Sequence, residues 1–159
     1  MKPTLVSGDT IFVLKWPFLF KNPILNRGDI IIYSNSDSLN AYSASIKRII
    51  GMPGDFVAIK NGSVILNGKQ LAERQTLTSP YTTEFIPNGP QYQIRKAPPL
   101  LEDFGPAQVP EGNVFCSGDW RSQLNGENRI TAGFIPSHSI IGRALWIWGS
   151  IQPKFRRIQ

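Results

Sequence analysis

The chain has 159 residues, enough for one domain with at most a small subdomain. Hydrophobic residues make up 41% and charged residues only 18%, which allows a buried core and excludes a highly charged disordered chain. One Cys excludes an internal disulfide, one Cys with one His is too few for a zinc site, and no run reaches the roughly 18–20 apolar residues of a membrane span. A Cys–His protease would need Cys116 and His138 to meet, and no motif supports it.

In chain order, the runs Thr10–Lys15, Asp29–Tyr33, Ser45–Ile50, Phe56–Lys60, Ser63–Leu66, Asn113–Ser117 and Ile140–Trp148 predict strands. Each is rich in β-branched or aromatic residues and bounded by Gly, Asn, Asp or Pro. Asn61-Gly62 predicts a tight hairpin, because this pair accepts the positive φ angles of a type I′ turn, and Asn67-Gly68 predicts another. No long helical periodicity or internal repeat is present, so the fold class is all-β, antiparallel, in a single domain over residues 1–159. The stretch from about 71 to 108 differs, with Pro80, Pro87, Pro90, Pro98, Pro99 and Pro106. It reads as an inserted segment with a few edge strands.

Four blocks carry chemistry. The first is Met1-Lys2-Pro3-Thr4-Leu5 followed by Gly8-Asp9 and Thr10–Lys15. The second is Arg27-Gly28-Asp29-Ile30-Ile31-Ile32-Tyr33. The third is Ile46-Lys47-Arg48-Ile49-Ile50-Gly51-Met52-Pro53-Gly54-Asp55. The last runs from Val109-Pro110-Glu111-Gly112 through Gly118-Asp119-Trp120-Arg121 to Ile141-Gly142-Arg143-Ala144. In the third, alternation puts Ser45, Lys47 and Ile49 on one strand face and Ile46, Arg48 and Ile50 on the other. A lysine on a buried face is costly when charged, and desolvation lowers its pKa. An exposed lysine is only about 0.1% neutral near pH 7. A neutral lysine can take a proton from a serine hydroxyl, as in Ser-Lys catalysis. Taken alone, the block more readily describes a lysine that snorkels to solvent at a strand edge.

In this order and spacing the four blocks resemble the bacterial type I signal peptidases, the leader peptidases of the Ser-Lys class. Lys47-Arg48-Ile49-Ile50-Gly51-Met52-Pro53-Gly54-Asp55 is the specific part. The resemblance implies a signal-peptidase-like β catalytic domain with a Pro-rich inserted subdomain. The implied activity is an endopeptidase that removes N-terminal signal peptides, with small residues at −1 and −3, from preproteins at the membrane. Lys47 is implied as general base. Met1, Leu5, Ile11, Ser45 and Ile46 are implied at the substrate, and Asp119, Arg121, Glu127 and Arg129 as charged supports. No cofactor or metal is implied. The partners are signal peptides and a lipid surface, not nucleic acid. The place is the extracytoplasmic face of the bacterial inner membrane.

The chain departs from the pattern at its start, because the nucleophilic Ser precedes the Met of Met-x-Pro-Thr-Leu and here that Met is Met1. As given, the chain is therefore expected to be inactive, lacking nucleophile, oxyanion-hole donors and anchor. Three explanations are open: a fragment or internal start, an inactive paralogue that binds signal peptides, or replacement by another serine such as Ser45. The late block departs as well. Trp120 stands in place of Asn, Glu127 in place of Asp, and Ser122 or Asn125 is left to support Lys47.

Trp16, Phe18, Phe20, Trp146 and Trp148 read as packing residues or as an aromatic patch at a lipid interface. The basic balance of +6 is scattered, and the one cluster, Lys154, Arg156 and Arg157, reads first as a solubilising tail.

Overall fold

The computed structural model describes residues 1–15, 24–34, 44–98, 102–122, 132–149 and 156–158. All seven predicted strands are present, each end within one residue: β1 (Thr10–Leu14), β2 (Ile30–Ser34), β3 (Ala44–Gly51), β4 (Phe56–Lys60), β5 (Ser63–Leu66), β11 (Asn113–Ser117) and β14 (Ile140–Gly149). The others are β6 (Lys69–Gln70), β7 (Ala72–Gln75), β8 (Thr82–Phe85), β9 (Gln91–Lys96), β10 (Phe104–Gln108), β12 (Trp120–Arg121), β13 (Ala132–Pro136) and β15 (Arg156–Arg157). Among the described residues there is no α-helix, only a 3-10 turn at Ser137–Ser139.

The strands form three sheets. The largest has the order β1-β14-β2-β3-β11-β13, with β15 on β14; the second is β10-β4-β5-β6; the third is β12-β9-β8-β7. Pairing is antiparallel except for the two-residue contact of β12 with β9. Both Asn-Gly pairs turn hairpins as predicted: Asn61 and Gly62 have φ 49 and 71, and Asn67 and Gly68 have φ 50 and 77.

The segment rich in proline supplies strands to two sheets. β7, β8 and β9 form a meander, while β10 pairs with β4. The principal core lies where the sheets meet and combines Ile50 and Phe115 with Val57, Ile59, Val64, Leu66, Tyr92 and Ile94. Phe104 on β10 stacks on Phe115 and meets Phe134 edge-on, joining the second sheet to the first.

Three of the Gly-Asp pairs build one turn three times. In Val6–Asp9, Asn26–Asp29 and Met52–Asp55 the Asp N–H donates to the carbonyl three residues back. The Asp carboxylate accepts the N–H of that same residue. The intervening Gly8, Gly28 and Gly54 have φ of 92, 90 and 87, as the third position of a type II turn requires. Each turn leads directly into a strand, which is why these pairs precede β1, β2 and β4.

Candidate active site

The site forms where Met1–Leu5 folds back onto β3. Leu5 N–H donates to the Met1 carbonyl at 3.1 Å, giving a closed turn. The Thr4 hydroxyl donates to Asp119, and Arg48 Nη2 donates to Thr4 Oγ1 at 3.3 Å. Arg48 also grips Asp119 through Nε and Nη2, both at 3.0 Å, and donates through Nη1 to the Gly28 carbonyl at 2.9 Å. Arg48 and Asp119 are each 0% exposed. One buried ion pair thus fastens the N-terminal segment, β3 and the turn before β2 together.

On β3 the alternation expected from sequence holds. Lys47 pairs across to Ile31, and Ser45 to Tyr33. Ile31, Tyr33, Ile49 and Cys116 form a cluster on that face. Tyr33 has its phenol pushed up by burial, against a hydrogen bond with Ser45. Burial drives the Cys116 thiol upward, and the nearby Lys47 charge opposes this only in part. Cys116 is therefore a buried neutral thiol. His138 lies exposed on the 3-10 turn, so the pair does not make a Cys–His nucleophile.

The opposite face gathers Leu5, Ile30, Ile32, Ala144 and Ile147, with Met1, Ile11, Val13 and Ile46 packed against them. Four of the sequence-predicted substrate residues, Met1, Leu5, Ile11 and Ile46, therefore share one apolar cluster, whereas Ser45 stands on the other face of β3 beside Tyr33. Met1 is half-buried. Its amine is lowered by burial first, with Asp119 opposing and the charges of Lys47 and Lys2 adding to the effect. Lys47 itself is half-buried.

β3 is paired unevenly along its length. β2 runs beside Ala44–Arg48, but β11 reaches only Arg48, Ile49 and Gly51. Among the described residues, the second edge of 44–47 carries no strand. Such an edge offers backbone donors and acceptors to an extended chain.

Arg121 belongs to a second buried ion pair. Its Nη2 donates to Glu84 at 2.7 Å and its Nε to the Gly118 carbonyl at 2.9 Å. The Tyr92 hydroxyl donates to Glu84, and the Tyr92 ring lies 4.0 Å beneath the Arg48 guanidinium. Burial works against the Arg121 charge, but Glu84, Tyr92 and Asp119 outweigh it and raise its pKa. Sequence reasoning missed Glu84 and Tyr92, which sit in the Pro-rich stretch. Alternation within β8 and β9, with Thr82, Glu84, Tyr92 and Ile94 all buried, is the signal that could have found them. Ser122 is buried just after β12. Asn125, Glu127 and Arg129 lie outside the described residues, as do Trp16, Phe18, Phe20 and Lys154.

Residues 1–149 match the family described as signal peptidase, peptidase S26. The chain belongs to that family. It is 33% identical over 147 residues to the probable signal peptidase I-2 of Synechocystis sp., covering 91% of this chain and 56% of that protein. It is 32% identical over 148 residues to signal peptidase I of Bacillus licheniformis, covering 93% and 71%. Against signal peptidase I of Rickettsia akari it is 30% identical over 186 residues, covering 94% and 68%. The chain thus spans between 56% and 71% of the length of these relatives. The family and the all-β antiparallel fold implied by the sequence blocks both hold.

Proposed function

We propose that this chain is the catalytic part of a serine endopeptidase that removes signal peptides from exported preproteins, with small substrate residues at −1 and −3. Lys47 acts as general base toward a serine hydroxyl held beside Met1. The observation that carries this reading is the Thr4–Asp119–Arg48 clamp, which fastens Met1–Leu5 to the strand of Lys47. A hydroxyl borne next to Met1 is held by the same clamp, so attacking atom and base keep one geometry. The form of Lys47 able to take the proton is the neutral amine. Met1, Leu5, Ile11 and Ile46 supply apolar surface for the small side chains, and the open edge of 44–47 pairs with the extended substrate backbone.

Membrane contact on the extracytoplasmic face fits the aromatic edge of the large sheet. Phe12 on β1 is 57% exposed and Trp148 on β14 is 71% exposed. Among the described residues no helix is long and apolar enough to cross a membrane.

The test is cleavage of a preprotein with Ala at −1 and −3 by the full-length protein in lipid vesicles. We expect a single cut after the −1 residue and a loss of about 10²–10⁴-fold in Lys47→Ala. An unchanged rate in that variant overturns the role of Lys47. Binding of signal peptide with no cleavage of any preprotein overturns the peptidase reading in favour of a non-catalytic binder.

A further inference from the structure

The third sheet divides its charges by face. Glu73 and Glu84 are cross-strand partners on the inner face, where Glu73 holds Lys96 and Glu84 holds Arg121. Alternation sends Arg74, Thr83, Phe85, Gln93 and Arg95 to the outer face. No acidic residue of these strands joins them. Arg74 lies 5.4 Å over the Phe85 ring, and Arg95 lies 4.7 Å over the Trp120 ring. The Lys2 ammonium lies 5.7 Å from the centroid of the same Trp120 ring. Among the described residues, Lys2, Arg74 and Arg95 have no carboxylate partner.

This face begins at the candidate site. Lys2 follows Met1 directly, and Trp120 follows the Asp119 that clamps Thr4. The apolar cluster assigned to the −1 and −3 residues holds Met1, Ile11 and Ile46. Next to Met1 comes Lys2, and over the same Trp120 ring that Lys2 approaches lies Arg95. A substrate cut beside Met1 has these cations next to the cut. Cation–π contact with Phe85 and Trp120 steadies Arg74 and Arg95, and a guanidinium held this way can still donate its N–H groups to a carboxylate.

We infer that the outer face of β7, β8, β9 and β12, entered at Lys2, receives the substrate segment downstream of the cut and favours acidic residues there. The inference rests on the peptidase reading for which segment arrives. Its chemical content is a cationic and aromatic face selective for carboxylate side chains of an extended polypeptide. Lipid is the less suitable occupant, because Gln91, Gln93 and Thr83 present amides and a hydroxyl, while the exposed Phe12 and Trp148 lie on β1 and β14.

The experiment uses the full-length protein in detergent and three preproteins that differ only at the second and fourth residues after the cut, as Glu, Gln or Lys. We expect kcat/KM to favour Glu over Lys by about threefold to tenfold, with added salt shrinking the ratio. Arg74→Gln with Arg95→Gln should bring the ratio close to one. Lys60→Gln with Lys69→Gln removes the same charge from the second sheet and should leave the ratio in place. In parallel, anisotropy of labelled peptides matching only the downstream segment reads the face without any cleavage. Should no preprotein be cut, the peptidase reading fails, and Arg-dependent preference for the Glu peptide still supports the carboxylate-selective face. Equal binding of Glu and Lys peptides overturns the inference, as does a preference that persists in the double variant. Arg-dependent binding of phosphatidylglycerol vesicles without binding of the Glu peptide also overturns it and makes the face a lipid surface.

Discussion

Two sets of ion pairs use the same residue types in different settings. Arg48–Asp119 and Arg121–Glu84 are closed off from water, with all four side chains 0% exposed. Arg27–Asp55 and Arg143–Asp29 sit on the Gly-Asp turns, where the arginines remain 30% and 26% exposed. Removing one partner in the first set strands a charge that water cannot reach, whereas in the second set solvent replaces much of what is lost. The interior pairs therefore fix how the N-terminal segment, β3 and the third sheet meet. The turn pairs only steady the entrances to individual strands.

The strongest way to break this comparison is Glu84→Ala. It leaves Arg121 buried without its carboxylate and should cost about 3–5 kcal/mol in chemical denaturation. A loss below about 1 kcal/mol there would mean that water reaches Arg121. Gly28→Ala comes next, at about 1–3 kcal/mol from its positive φ alone. A Cβ at Gly28 would also run into the Pro90 ring, so a variant of equal thermal stability would contradict the packing of the turn before β2 against the Pro-rich segment.

Asp55→Asn should cost less, about 1 kcal/mol or under at neutral pH, and its signature is pH dependence. Burial alone would raise the Asp55 pKa, but hydrogen bonds from Arg27, Asn67 and the Met52 N–H outweigh it and hold the carboxyl below its ordinary value. A folded-state pKa that is depressed stabilises above the unfolded value of about 3.9 and ceases to do so as pH falls through the folded value. The gap between the native protein and Asp55→Asn should thus be constant from pH 5 to 7 and close below about pH 4 in thermal melts. Smallest of all, Arg143→Gln should change stability by about 0–1 kcal/mol, since its pair with Asp29 is only part-buried and a Gln amide can still donate there.

The large sheet was legible in the sequence because its strands are apolar runs framed by turn chemistry. Asp29–Tyr33 and Asn113–Ser117 need no distant partner to be recognised. The division of β3 into a Lys47 face and an Arg48 face was legible for the same reason, by alternation on one strand. Glu84 and Tyr92 were not, because their meaning depends on Arg121, and the Glu84 and Arg121 pair is separated by 37 residues. The sequence reading put Arg48 on the face opposite Lys47, but nothing local announced Asp119 as its partner. β13 was also missed as a strand, since Gly133 and Pro136 dilute a short run that only pairing with β11 makes extended. The expectation of edge strands between residues 71 and 108 came from prolines, which punctuate β7 to β10 without showing which sheet each strand joins.

The register of β1 has a consequence for how the chain is made. Thr10 pairs with Gly149 and Ile11 with Ile147, so β1 lies against a strand synthesised long after it. Until β14 has left the ribosome, β1 has no partner, and β2 also lacks its neighbour on that side. The second sheet, whose β4 and β5 meet through a two-residue hairpin, can form long before. Maturation is therefore staged, with hairpins early and closure of the large sheet delayed until β14 has emerged, and the edge of β1 in the meantime is a point in need of protection from aggregation.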